Sequence, residues 1–432
     1  MHHVIITFIG CRTCSLYSLT NLWQTTLRTS TNAVRPTPLN INLSQYTYFF
    51  IISFPSFVVH TLTRPGDKQV GLEFHAALGL NLRMTTQNVD AQDAATSANL
   101  TVERRNDKSM LMRILLTFSR AIRPYLVKPK KGSDDTHDSP RLVTPKRVSR
   151  SHDVQERNVD SIWVYDVARK SSLSDNEPRT QISRRIYYFA GGGWQMPPSP
   201  HHWAFIAALV DRLPQTSVSL ISYPLAPENP ASVSMPKLKT LYDTLMKQSS
   251  TAKERVIIAG DSAGGNIALS LVLWSLAGAD RGQASHPDAI MAISPSTDLR
   301  HRNAEMEAVA RHDPTLTIPF VQSTAAAWSA GGNQSADLLA TDWTVDDARV
   351  SPTLARIELA ARHNIQIHGV VGTWDVLAPE AMEFIDKCRD AGVRGKWLVW
   401  EGQMHCFPLA ARYHLSESVE ASKWIARVIS EV

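Results

Sequence analysis

Residues 256–264 read Val-Ile-Ile-Ala-Gly-Asp-Ser-Ala-Gly. A short β-branched run leads into Gly260-Asp261-Ser262-Ala263-Gly264, and a helically spaced apolar stretch starts near Asn266. A serine on so sharp a strand-to-helix turn is held in strained backbone geometry, with its hydroxyl projecting from the end of the sheet. The flanking glycines follow from sterics, because the turn brings strand and helix too close for a Cβ on either side. The amides that open the helix point at the same spot and favour negative charge there. Ser262 is therefore the candidate nucleophile.

A serine hydroxyl is a weak nucleophile and needs a base, itself oriented by a carboxylate. In a strand-turn-helix setting of this kind the chain order is serine, then acid, then histidine. His405 lies in Gln403-Met404-His405-Cys406-Phe407, just beyond the apolar run 396–400. Asp375 directly follows the apolar run 365–371 and precedes His405 by one strand-loop-helix-strand unit. The other histidines are less well placed: His301 and His312 fall in a region without strand pattern, His363 precedes a strand, His368 lies inside one and His414 opens a helix. Asp386 falls in mid-helix, and Glu401 is too near His405 in sequence to approach it from another strand.

Acyl transfer from Ser262 creates an oxyanion that needs preorganised N–H donors. Ala263, next to the nucleophile, offers one. Gly191, Gly192 and Gly193 follow the run 185–190 directly and form the other candidate element, a loop able to turn its amides inward without obstructing side chains.

Outward from these motifs the chain alternates. Residues 185–190, 217–223, 256–259, 289–293, 365–371 and 396–400 read as strands, and 203–213, 236–247, 266–276, 379–391 and 416–429 as helices. Alternation of this kind means crossover connections and an α/β class fold, a mostly parallel, doubly wound sheet covered on both faces. Residues 299–348 break the rhythm and read as a cap insertion above the strand ends, where ligands bind in such sheets.

The N-terminal part is different material. Residues 1–64 form an apolar segment with Cys11 and Cys14, and 36–63 contain no Lys, Arg, Asp or Glu. The run 45–62 is read as a membrane anchor, as part of the cap, or as a processed or over-extended terminus. Its almost wholly apolar core, 46–59, is shorter than the roughly 20 residues a membrane span needs. Localisation accordingly stays open between cytoplasmic and membrane-associated. Residues 65–160 are expected to be a basic cap and linker region. Within it, 109–126 has helical period through Leu111, Leu115, Phe118, Ile122 and Tyr125, while 128–160 reads as exposed linker. The catalytic domain is expected at 161–432.

The net charge of +5 over 432 residues is local: 101–150 hold 13 Lys/Arg against 5 Asp/Glu, and the rest of the chain is slightly acidic. With 43% hydrophobic and 20% charged residues, composition excludes global disorder and a polytopic membrane protein. Four cysteines cannot form a disulfide framework in so long a chain. No metal cluster or dinucleotide fingerprint competes with the triad, so no cofactor is expected. Basic residues without aromatic interleaving give no nucleic-acid surface.

With these residues in place, the chain resembles the hormone-sensitive-lipase-like branch of the α/β-hydrolase fold, steryl acetyl hydrolases included. The resemblance runs from about residue 184 to the C-terminus. It is carried by Tyr188-Phe189-Ala190-Gly191-Gly192-Gly193-Trp194, the 222–230 stretch SYPLAPENP, the serine motif through Asn266, Asp375 with Leu377, and Met404-His405 with Phe407. The family pattern has His before the three glycines and Arg after the tyrosine of the second motif, where this chain has Ala190 and Pro224. The resemblance implies a serine carboxylesterase or lipase acting on a small, hydrophobic ester, with a cap over the acyl pocket. A non-catalytic binding protein on a hydrolase scaffold and an acyltransferase using the same triad are the alternatives. Oligomeric state is not legible.

Overall fold

The computed structural model describes residues 99–126, 139–170, 182–278, 285–330 and 343–432. The segment 1–64 with its run 45–62, the start of the 65–160 region and residues 331–342 of the insertion lie outside the described residues. Among the described residues, no helix is long and apolar enough to cross a membrane.

In chain order the elements are β1 (Leu100–Arg105), α1 (Met110–Leu126), α2 (Lys146–Ser151), β2 (His152–Val159), β3 (Ile162–Arg169) and β4 (Arg184–Phe189). Next come α3 (Pro200–Arg212), β5 (Thr216–Ser222), α4 (Ala231–Ala252), β6 (Arg255–Asp261), α5 (Ala263–Gly278) and β7 (Ala289–Ile293). The last third holds α6 (Met306–Ala310), α7 (Ile318–Ala330), α8 (Glu358–Arg362), β8 (Gln366–Gly372), α9 (Ala378–Asp390), β9 (Gly395–Trp400) and α10 (Ser416–Glu431). Among the described residues, nine strands form one sheet in the order β1-β9-β8-β7-β6-β4-β5-β3-β2. Its core is parallel, and β3 runs antiparallel to both its neighbours.

Alternation along β6 shows why the sheet is buried on both faces. Val256 and Ile258 join one apolar layer, with Leu238, Leu241 and Leu245 of α4 and Phe384 and Ile385 of α9. Ile257 and Ala259 point the other way, toward Trp203 and Ile206 of α3 and Ile425 and Val428 of α10. Helix α5 lies directly on β6 and is apolar around its circumference, as a fully covered helix must be.

Three features depart from the sequence-based expectations. No boundary falls at residue 160, because β2 and β3 pair as a hairpin closing at Val159–Ile162. The supposed linker 128–160 thus supplies α2 and an edge strand, and β1 adds the opposite edge through its pairing with β9. Both edge strands carry charged residues outward, and such half-exposed strands have no continuous apolar run to announce them.

The third departure is the face of α1. Met112 and Leu116 point inward, Leu115 packs against the same core only in part, and Leu111 is 47% exposed. The apolar arc of this helix is wider than the stripe it buries, so spacing alone cannot select the buried part. Ser119 and Arg123 continue that stripe.

The site depends on how closely α5 approaches β4. A methyl group on Gly264 would stand 2.0 Å from the Phe189 carbonyl oxygen, and one on Gly260 2.4 Å from the Gly264 backbone. Gly264→Ala must push the helix off the sheet and should cost about 3 kcal/mol. Denaturant unfolding measures this, and an unchanged midpoint would contradict the packing described.

Candidate active site

Ser262 has φ +52°, the left-handed conformation that lets the chain pass from β6 to α5 in one residue. Its amide donates to the Ile293 carbonyl at 2.9 Å, and its own carbonyl accepts from Asn266 N at 3.0 Å. The side chain is half-buried at the C-terminal end of the sheet.

His405 and Asp375 arrive on the loops after β9 and β8. His405 Nδ1 and Asp375 Oδ2 are 2.7 Å apart. The other Asp375 oxygen accepts from Leu377 N at 3.0 Å, and the carboxylate is fully buried. Burial alone would lower the imidazole pKa, but the Asp375 charge beside it holds it well above the ordinary histidine value. Cys406 also touches this imidazole. Burial above all pushes its thiol up to about 12, so it is neutral in the physiological range and Asp375 remains the charge that counts.

The serine and histidine loops are anchored at adjacent residues. Ser262 bonds to Ile293, while Cys406 N donates to Ser294 Oγ at 3.1 Å. Their second link is Asp261, which went without a role in the sequence reading. Its Oδ1 accepts from Tyr188 OH at 2.7 Å and Gly191 N at 3.1 Å. Its Oδ2 lies 3.3 Å from His202 Nε2 and accepts from Cys406 Sγ at 3.6 Å. Burial opposes the anion, yet the His202 imidazole, the Tyr188 hydroxyl and the Gly191 amide overcome it and keep the carboxyl below its usual range. One buried carboxylate thus ties together the serine turn, the glycine loop, α3 and the histidine loop. A preference for hydrogen-bond donors around the residue before Ser262 is invisible in sequence, since the four donors come from three separate stretches, 188–191, His202 and Cys406.

Gly191, Gly192 and Gly193 lie beside the serine turn. A methyl on Gly191 would be 2.5 Å from Asp261 Oδ2 and 2.9 Å from Ser262 Cβ. Gly191 spends its amide on Asp261, which distinguishes it from the other two. Gly192 (φ +137°) and Gly193 (φ +59°) adopt conformations natural to glycine, and among the described residues their amides donate no backbone hydrogen bond. The insertion covers this loop. Thr324 of α7 would be 2.9 Å from a methyl on Gly193, and Trp328 stacks on Trp194 at 5.7 Å. Trp328 and Ala325 are buried in the main core, so of the apolar α7 residues it is Phe320, with Val321, that faces the strand-end region. These two pack with Leu316, Met306, Val376 and Leu377 in a separate apolar cluster beside Asp375.

The other histidines have other partners. His301 is buried against Glu380 at 2.9 Å, His312 stacks on Trp374, His363 meets His286, and burial foremost lowers His368 to about 4 inside β8. Among the described residues there is no group of three or more His, Cys, Asp or Glu able to hold a metal ion.

Known proteins match this architecture. The profile of a family described by its alpha/beta hydrolase fold covers residues 186–409, from β4 to just past His405. An esterase of Acinetobacter venetianus is 26% identical over 243 residues, covering 56% of this chain and 74% of that enzyme. Human hormone-sensitive lipase is 30% identical over 159 residues, which are 35% of this chain but only 14% of that lipase. A crystal structure of an esterase from the bacterial hormone-sensitive lipase family aligns over 75% of this chain and 99% of its own, with TM-score 0.57 and 20% identity.

The Asp261 junction is testable without an assay. Asp261→Ala strands the Tyr188 hydroxyl and the Gly191 amide in a dry interior and should cost about 3 kcal/mol. Thermal unfolding checks this, and a melting point equal to wild type would show that the junction is not needed for the fold.

Proposed function

The chain belongs to the alpha/beta hydrolase family and is a carboxylic ester hydrolase of the serine type; from that premise we propose that Ser262, His405 and Asp375 carry its reaction. The observation that carries the assignment is the 2.7 Å contact between His405 Nδ1 and the buried Asp375 carboxylate, which leaves Nε2 as the basic nitrogen.

The Ser262 hydroxyl attacks the ester carbonyl carbon as His405 Nε2 takes its proton. The carbonyl π electrons move onto oxygen, and the amides of Gly192, Gly193 and Ala263 receive the oxyanion, with Gly191 setting the loop. Collapse expels the alkoxide, which takes the proton from His405 and leaves an acyl group on Ser262. Water then attacks the acyl-enzyme, gives its proton to His405, and the acid leaves as Ser262 regains the proton. Asp375 stabilises the imidazolium in both halves without itself accepting a proton. The positive end of α5, beginning at Ala263, adds to oxyanion stabilisation.

The proposed substrate is a hydrophobic ester. Phe320, Val321 and Leu316 of the insertion and Val376 and Leu377 beside the triad acid form one apolar cluster, which suits an acyl or alcohol chain better than a charged one.

Ser262→Ala should lower turnover of a p-nitrophenyl acyl ester by about 10³-fold or more. The sign of the pH dependence follows from His405. Its folded-state pKa is raised, so the neutral base appears only as pH climbs through that raised value, and kcat/KM should rise over the same interval. Asp375→Asn removes the charge responsible, moving that limb to lower pH while rate falls. Equal activity in wild type and Ser262→Ala would refute the assignment.

A further inference from the structure

Asp313 lies in the insertion between α6 and α7 and is fully buried. Its Oδ1 accepts from Thr315 N at 2.7 Å, Thr315 Oγ1 at 2.9 Å and Leu316 N at 2.8 Å. Its Oδ2 reaches across to the loop after β8 and accepts from Val376 N at 2.8 Å. Val376 is the residue after the triad acid, and the next amide, Leu377 N, is held by Asp375 itself. Two carboxylates therefore occupy successive amides of one turn.

All four of the Asp313 hydrogen bonds come from donors, an arrangement suited to the anion. An asparagine would supply only one accepting atom and would turn its NH2 toward one set of donors. Burial, and then the Asp375 charge, raise the Asp313 pKa, while the amides of Val376, Thr315 and Leu316 act against them. Placing a second anion beside the first is electrostatically unfavourable. A carboxylate that merely closed the Thr315–Leu316 turn would have no reason to be there.

The segment bearing Asp313 is itself clamped by the N-terminal helix. Arg123 of α1 donates from Nη1 to the carbonyls of Ala310 at 2.8 Å and Asp313 at 2.7 Å. On the other side of the acid, His312 stacks on Trp374 at 5.6 Å, and Lys108 Nζ sits 3.6 Å above the same indole. Among the described residues, the charged and titratable groups toward Asp313 are Asp375 and, beyond it, His405 from the strand-end loops, Arg123 from the N-terminal arm and His312 on its own segment, with Lys108 on the Trp374 indole. Cys406 and Asp261 stand on the far side of His405.

We propose that Asp313 is a positioning residue for the triad acid, fixing the 375–377 turn from the insertion and adding a negative charge behind Asp375 that makes His405 a stronger base. This rests on the triad assignment above. It also gives the N-terminal arm a role in catalysis, because Arg123 holds the backbone from which Asp313 reaches out.

The test is the pH profile of kcat/KM on a short p-nitrophenyl ester for the full-length wild type, Asp313→Asn, Thr315→Ala and Arg123→Ala, each checked for cooperative thermal unfolding. Asp313→Asn should move the acid limb down by about 0.5 pH unit or more, since a nearby negative charge favours the imidazolium. It should also lower kcat about tenfold with KM within about twofold of wild type. Thr315→Ala loses a hydrogen bond but keeps the charge, so its limb should stay at the wild-type position. Arg123→Ala should lower kcat several-fold with KM unchanged, and this variant carries the test if Asp313→Asn does not fold. An unmoved limb in folded Asp313→Asn, an equal shift in Thr315→Ala, or wild-type kinetics in Arg123→Ala would each overturn the proposal. Failure of the triad reading looks different, since Ser262→Ala would then retain turnover.

Discussion

Everything at the strand ends depends on the contact between Gly264 and the Phe189 carbonyl. Only with no side chain at that point can α5 start one residue after β6 ends, and only then is Ser262 held in a left-handed turn. The strain is local, but the structure over-determines it. Ile293 and Asn266 fix the serine backbone on both sides, and β4 and β7 flank β6 in register. Placement of the proposed nucleophile is thus a property of the sheet rather than of a flexible loop.

A second constraint is electrostatic. Asp261, Asp313 and Asp375 are all buried, and each carboxylate has hydrogen-bond donors around it. Asp261 draws on a tyrosine, an amide, an imidazole and a thiol, Asp313 on three amides and a hydroxyl, and Asp375 on His405 and Leu377. These donors come from β4, α3, the insertion and the β8 and β9 loops, so the charges fasten distant segments together as they find partners. The proposed chemistry uses one of the three directly and leans on the others for alignment.

Much of this was readable from the chain. The central strands and the principal helices are long, regular runs whose periodicity survives any tertiary context, and the motif residues fall where crossover connections put them. What escaped reading has physical reasons. β1 and β2 are edge strands with one wet face, so charges interrupt their pattern. The buried part of α1 was hidden because its apolar arc is wider than the stripe it covers. That Ala325 and Trp328 of the insertion join the core, with Trp328 stacked on Trp194, follows from a tertiary contact that no local pattern shows. Asp261 stood in plain view inside the serine motif, but its role needs Tyr188, Gly191, His202 and Cys406 gathered around it. Asp313 gave no signal at all, since a carboxylate in an irregular segment looks like any solvated loop residue until its donors are seen.

The proposed reaction turns on a covalent acyl group at a single hydroxyl. Rapid quenching of the protein during turnover of a p-nitrophenyl ester, followed by peptide mass analysis, tests that most directly. One acyl mass on the peptide containing Ser262, absent when hydroxylamine is added before digestion, is the predicted result. An acyl group found instead on Cys406, or none anywhere while p-nitrophenol is released in a burst, would contradict it.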